Sequence, residues 1–179
     1  VLERWPPHAR AHRNLAAEFK LVGRTDEEIA HLRTAVTDLP EIRNLLGLEL
    51  LVAGRTDEGA RELGRFILER PSDPSVPDAR AALGAARLAQ RDYEAARVQY
   101  AELVTSRPTD SNALSNLGIA LAALGRRDEA RRAFERAVDV DPGNGLSQRN
   151  LALHLFEQND FEGAVRSDLL ILWGINTAK

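Results

Sequence analysis

One five-residue phrase returns along this chain at a nearly fixed interval, and nothing else in the sequence constrains the fold as tightly. Gly23-Arg24-Thr25-Asp26-Glu27 recurs unchanged as Gly54-Arg55-Thr56-Asp57-Glu58, and Gly125-Arg126-Arg127-Asp128-Glu129 is a close third copy. Arg91-Asp92-Tyr93-Glu94 and Asn159-Asp160-Phe161-Glu162 occupy the same slot. The starts at 23, 54, 91, 125 and 159 are 31, 37, 34 and 34 residues apart, a mean of 34. Pro40, Pro71, Pro108 and Pro142 keep the same beat. So do Leu15, Leu46, Leu83, Leu117 and Leu151, each followed by a small residue: Ala16, Gly47, Gly84, Gly118 and Ala152. Self-similarity at such a period marks stacked units, each of which buries its apolar face only against its neighbours.

Each unit reads as two helices. The first carries apolar residues at helical spacing, as in Leu114, Leu117, Leu121 and Leu124. A Gly or polar turn follows, where Gly takes the left-handed conformation that ends a helix. The second helix is clearest in Ala130, Phe134, Ala137 and Val138. Pro142 stops it, because proline lacks the N–H and forces the preceding residue out of the helical region. Acidic pairs such as Asp57-Glu58 and Asp128-Glu129 open second helices, where negative charge complements the helix dipole. Composition agrees: aromatics are only 5%, and the abundant Ala, Leu, Arg and Glu are strong helix formers.

These marks resemble the tetratricopeptide repeat, a 34-residue helix–turn–helix. The signature slots are filled by Leu117, Gly118, Leu121, Gly125, Ala130, Phe134, Ala137 and Pro142, and the resemblance covers about residues 9–165. It implies an all-α, right-handed superhelical solenoid of about five units. Their expected bounds are a lead-in at 1–8, then 9–39, 40–76 with a longer turn, 77–110, 111–144, and a degenerate fifth unit at 145–179. Glu28 stands where a small residue is expected and Arg87 where a large apolar one is. The first unit is three residues short and residues 72–76 lengthen a turn, so regularity is expected to be lower over the first three units. The fifth unit loses its pattern at Asp168 and Asn176 and carries Leu169-Leu170-Ile171-Leu172-Trp173. That segment is expected either to pack on the fourth unit or to pair with another chain, and Leu169, Leu172 and Trp173 are then the residues of a homodimer contact.

The resemblance further implies that first helices line a concave groove. The lining stripe includes Arg13, Asn14 and Lys20 in the first unit, Asn44, Leu45 and Leu48 in the second, and Leu88 in the third. It continues with Asn112, Asn116 and Ile119 in the fourth unit and Arg149, Asn150 and Leu153 in the fifth. Such a groove is basic at its N-terminal end, apolar in the middle, and amide-bearing with Arg149 at its C-terminal end. It suits an amphipathic helix or an extended segment with acidic flanks. Asn14, Asn116 and Asn150 share one slot, and the resemblance implies that Asn there bonds a bound peptide's backbone, since an amide offers both donor and acceptor. Leu45 and Ala82 break that ladder. Arg13 and Arg149 are candidate carboxylate binders.

Chemistry of other kinds finds little support. A net charge of −3 argues against nucleic acid, whose affinity rests on Lys and Arg neutralising phosphates. Without cysteine there is no disulfide framework or thiolate metal site. No apolar run reaches the roughly 18 residues of a membrane span. His8 and His12 lie four apart but lack a third ligand at metal spacing, while His31 and His154 are isolated and read as structural or surface groups. No nucleophile–base set, catalytic residue, metal site or cofactor site is expected. Arg126, Arg127, Arg131, Arg132 and Arg136, interleaved with Glu129 and Glu135, read as a salt-laced solvated face. The expected function is a non-enzymatic scaffold that binds a protein or peptide. The alternatives are a self-associating assembly module and an accessory domain of a larger bacterial membrane protein. Residues 7–15 and the Arg- and Ala-rich style are similar to repeat tails of membrane glycosyltransferases. With no methionine at all, the chain reads as a piece of a longer protein, and its compartment stays open between bacterial cytoplasm and periplasm.

Overall fold

The computed structural model describes residues 6–158, with side chains from His8 onward. The apolar segment with Leu169, Leu172 and Trp173, and the breaks at Asp168 and Asn176, lie outside the described residues. Within them the chain is all-α. The helices are α1 (Pro6–Leu21), α2 (Thr25–Val36), α3 (Arg43–Val52), α4 (Thr56–Glu69), α5 (Val76–Ala89), α6 (Tyr93–Ser106), α7 (Ser111–Ala123), α8 (Arg127–Val140) and α9 (Gly145–Glu157). A 3-10 turn at Pro40–Ile42 leads into α3. No helix among the described residues is long and apolar enough to cross a membrane.

The recurring phrase is a helix stop followed by a helix start. At its first position Gly23, Gly54 and Gly125 have φ of +73°, +75° and +74°. The amide of Gly23 donates to Lys20 O at 3.1 Å and that of Arg24 to Phe19 O at 2.9 Å. This doubled bond closes the last turn and requires a left-handed residue, which is why glycine stands there. The same pair of bonds recurs from Gly54 and Arg55 and from Gly125 and Arg126. The third unit makes it from Arg91 and Asp92, so Arg91 is driven to φ 60° without glycine's freedom. Helix starts are capped where the sequence supplies a carboxylate or amide. Asp92, Asp110 and Asn144 accept from the amides of Ala95 (3.3 Å), Ala113 (2.9 Å) and Leu146 (3.1 Å).

The chain forms two compact units that meet inside α5, one ending at Ala86 and one beginning at Arg87, although composition shows no break there. The first unit has two cores. One gathers Ala16, Ile29, Leu32, Ala35, Ile42, Leu46 and Leu50, and the other gathers Leu63, Phe66, Ile67, Val76, Ala79 and Leu83. The second unit packs Phe134 with Leu121, Ala130, Ala133, Leu151, Ala152 and Leu155. Burying each large side chain contributes about 1.5–3 kcal/mol. The recurrent small residue is a contact point in both units. A Cβ on Gly47 would lie 2.7 Å from Leu63 Cγ, and one on Gly118 would lie 2.5 Å from Phe134 Cε1.

The recurrent leucine behaves less uniformly than its spacing predicts. Leu46, Leu83 and Leu151 are buried, Leu117 is half-buried, and Leu15 is 44% exposed. Leu15 lies on α1, which among the described residues packs chiefly on α2.

Candidate functional site

In the first unit the predicted lining residues fall into three environments. Arg13 and Asn14 are exposed on α1 and share a polar hollow of about 320 Å³ with Arg10, Leu39 and Glu41. Lys20 is committed to a neighbour: its Nζ donates to Oε1 of Glu49, a buried carboxylate on α3. That bond holds the Lys20 ammonium above its ordinary pKa. Glu28 of α2 is buried close by, and its carboxyl is pushed up by burial and by the charge of Glu49, with Lys20 opposing. The signature's small slot is therefore filled by a carboxylate beside an ion pair. On α3, Leu45 is 38% exposed, whereas Leu48 is half-buried against the core of Leu63 and Phe66. The Oδ1 of Asn44 is buried without a hydrogen-bond partner.

In the second unit the structure brings Ile119, Asn150 and Leu153 together. With Ala122, Phe134, His154 and Glu157 they line an apolar hollow of about 160 Å³ between α7 and α9. Leu153 is 39% exposed and Arg149 is exposed. Leu88, near the end of α5, is half-buried.

The predicted amide ladder is largely occupied from within. Asn150 Nδ2 donates to Ser115 Oγ at 2.9 Å. Asn116 is bonded to the buried Tyr100, whose phenol is pushed up to about 12 by burial. Asn112 Oδ1 accepts from Asn144 Nδ2 at 3.1 Å, and Asn144 also donates to Ser111 Oγ. Ser111 and the fully buried Ser147 share a further bond at 3.1 Å. A polar seam thus joins α7 to α9. It was legible in principle, because Ser115 and Asn150 are 35 residues apart, about one period, and equivalent stretches of stacked first helices lie side by side.

One histidine differs from expectation and one agrees with it. His31 is not isolated: its Nδ1 lies 2.7 Å from Nδ1 of His12, and its ring stacks on Phe19 at 5.2 Å. Spacing along one helix could not reveal a pair formed across the α1–α2 hairpin. His154 is structural, as expected, but fully interior at 5% exposure. Its Nε2 donates to Arg127 O at 3.0 Å, and its ring packs on Phe134.

The basic cluster of α8 is salt-laced. Arg126 bonds Glu129 through both Nε and a terminal nitrogen at 2.7 and 2.8 Å, and Arg131 bonds Glu135 at 2.8 Å. The Arg126 guanidinium holds the Glu129 carboxyl below its ordinary pKa. Arg87, which replaces a large apolar residue, turns its head towards Gln90 and Asp92 at 3.2 and 3.7 Å.

The TPR repeat-containing protein PA4299 of Pseudomonas aeruginosa is 31% identical over 153 residues. That match takes in 86% of this chain and 60% of the relative, so the chain spans about three fifths of the curated relative's length. Among solved structures, MamA from Desulfovibrio magneticus RS-1, from residue 41 of that protein to its end, aligns with a TM-score of 0.82 at 20% identity over 96% of this chain and 98% of that one. MamA AMB-1 aligns with a TM-score of 0.76 at 21% identity over 96% and 93% of the two chains. At these identities the likeness is one of fold. The family described as Tetratricopeptide repeat matches residues 44–111 and 115–171, more than half of the chain. Period, doubled helix stops, small contact residues and this match agree, and the chain belongs to the tetratricopeptide repeat family.

Proposed function

We propose that the chain is a protein-interaction scaffold that takes a peptide or helix of a partner against its first helices. The observation that supports this most directly is the hollow between α7 and α9. Ile119, Ala122 and Leu153 present apolar surface there, and an apolar side chain of about leucine size would fill it. In the first unit, Arg10 and Arg13 outnumber Glu41 in a hollow they share with Asn14 and Leu39, and the surplus positive charge there favours an acidic group. Each hollow suits its own group: an apolar anchor at Leu153 and an acidic group at Arg13.

A displayed library of twelve-residue peptides tests this reading. Selected peptides should fall into those with an apolar anchor and those with an acidic position. Leu153→Glu should remove binding of the anchor-bearing peptides, and Arg13→Glu should weaken the acidic ones. Val98→Glu, at a residue 40% exposed on α6, should leave binding intact. Peptides bound equally by Leu153→Glu and the native chain would overturn the reading.

Self-association through Leu169, Leu172 and Trp173 is the alternative, and it rests on sequence alone. Light scattering separates the two. A dimer that Leu172→Lys returns to monomer favours assembly, and a monomer at high concentration removes it.

A further inference from the structure

We propose that His12 and His31 form a two-imidazole site for a late first-row divalent transition-metal ion, with Cu(II) the preferred occupant. The two Nδ1 atoms face each other at 2.7 Å across the α1–α2 hairpin. With metal–nitrogen bonds of about 2.0 Å, two ligands at right angles stand about 2.8 Å apart, and two tetrahedral ligands about 3.3 Å apart. The observed separation is that of a hydrogen bond, and it lies close to the right-angled pair of tetragonal Cu(II) and Ni(II), so the two nitrogens need move little apart to hold such an ion. Copper(II) heads the affinity order for nitrogen sites.

The hydrogen bond itself shows that the pair is poised for such an ion. Two neutral imidazoles that meet nitrogen to nitrogen need one bare Nδ1 and one Nδ1–H. The bare nitrogen is already a ligand. The other ring becomes one by moving its proton to its own Nε2, with no net proton release. Bound metal then takes the place of the shared proton, about 1.5 Å off the line between the nitrogens, with both rings turned to aim their lone pairs at it.

The rings are also held in place. His31 stacks on Phe19 with 10° between the ring planes, and the Arg24 guanidinium covers Phe19 at 4.8 Å. Arg24 is itself bonded to Glu27, which offsets its charge near the site. Both histidines are half-buried, so solvent reaches the pair and can complete the coordination sphere. No cluster of three or more His, Asp or Glu suited to a metal occurs among the described residues, so water supplies the remaining ligands.

The test is a titration of the untagged chain with copper sulfate in a non-coordinating buffer at neutral pH, followed by calorimetry and electron paramagnetic resonance. The expected result is one equivalent bound, with a spectrum showing two equatorial imidazole nitrogens. His31→Gln and His12→Gln should each weaken binding at least tenfold. His8→Gln, at an exposed residue of α1, should leave both affinity and spectrum unchanged. Absence of a one-equivalent site, a spectrum with one imidazole, or loss of the site in His8→Gln with retention in His31→Gln would each overturn the proposal. The resonance spectra of the native chain and of His8→Gln decide the matter even if the substitutions in the hairpin impair folding.

Discussion

Gly118 and Gly64 are both inside helices, yet alanine at the two positions should act in opposite directions. In a bare helix Gly→Ala stabilises by about 1 kcal/mol, because glycine has more backbone freedom to lose. Gly64 lies in α4, and a Cβ there meets nothing within 4 Å, so Gly64→Ala should gain roughly that amount. At Gly118 a Cβ would sit 2.5, 2.6 and 2.9 Å from Cε1, Cδ1 and Cζ of Phe134. Carbon atoms want about 3.5–4.0 Å, so the ring would have to retreat by about 1 Å. Phe134 is 2% exposed and packed against Leu121, Ala130, Leu151 and Leu155, so apart from the hollow it lines beside Ile119 and Leu153 it has little room to move. Overpacking of this kind costs about 1–3 kcal/mol, which exceeds the propensity gain. The net expectation is a loss of about 1 kcal/mol for Gly118→Ala and a separation of about 2 kcal/mol between the variants. For a chain of this length that is about 4–8 °C in melting temperature. Circular dichroism during heating and in urea measures both. A Gly118→Ala chain as stable as the native one would refute the close-approach argument. A second arm isolates the cause: Phe134→Leu should destabilise the native chain yet partly rescue Gly118→Ala, with a coupling of about 0.5–3 kcal/mol.

Other outcomes follow from single residues. Arg91 holds the left-handed slot that glycine fills elsewhere, at a cost of about 1–2 kcal/mol. Arg91→Gly should recover part of it, up to about 1 kcal/mol after glycine's unfolded-state entropy, read as a rise in the urea midpoint. A fall in the midpoint would show that the Arg91 side chain matters more than its backbone. Glu28, buried beside Glu49, has its carboxyl raised from the ordinary 4.5. A group raised on folding gives stability that is complete below its unfolded pKa and is lost as pH rises through the folded one. Native stability should therefore decline from about pH 4.5 upward through that window, and Glu28→Gln should flatten the decline and be the more stable form at neutral pH. Parallel urea curves for the two chains at all pH values would contradict this.

The parts of the fold that were legible in the sequence are those decided locally. A doubled helix stop needs one left-handed residue, and that need writes glycine at 23, 54 and 125 whatever surrounds them. The register even located Arg91 as the exception. The small residue beside each recurrent leucine was legible because it reflects one repeated contact. What stayed hidden depends on contacts between helices. Nothing in the spacing of Lys20 and Glu49 distinguishes a free cation from one fixed to a buried carboxylate. The His12–His31 pair needs the hairpin to bring together residues 19 apart. Leu48 alternates with Leu45 on α3, and only the position of α4 and α5 decides which of them faces the core.

The amide slots show how an interior contact changes the meaning of a surface residue. If Asn116 and Asn150 were free, a bound peptide's backbone would exchange water for amide at little cost. Instead Asn150 gives one N–H to Ser115 and Asn116 is bonded to Tyr100, so a peptide meets only the remaining capacity of these amides unless it breaks those bonds. Each intramolecular bond is worth about 0.5–1.5 kcal/mol net, and stranding a buried partner costs about 1–3 kcal/mol. Replacing a 1 kcal/mol bond by another of equal strength yields no affinity. On the proposed reading, most affinity at this hollow comes from burying apolar surface of the partner against Ile119, Ala122 and Leu153. The seam of Ser111, Ser147, Asn144, Ser115 and Asn150 has a different use. An apolar contact between α7 and α9 could slide, whereas donor–acceptor pairs on both helices match in one register only. That register keeps Ile119 opposite Leu153, so the amides hold the walls of the hollow in place.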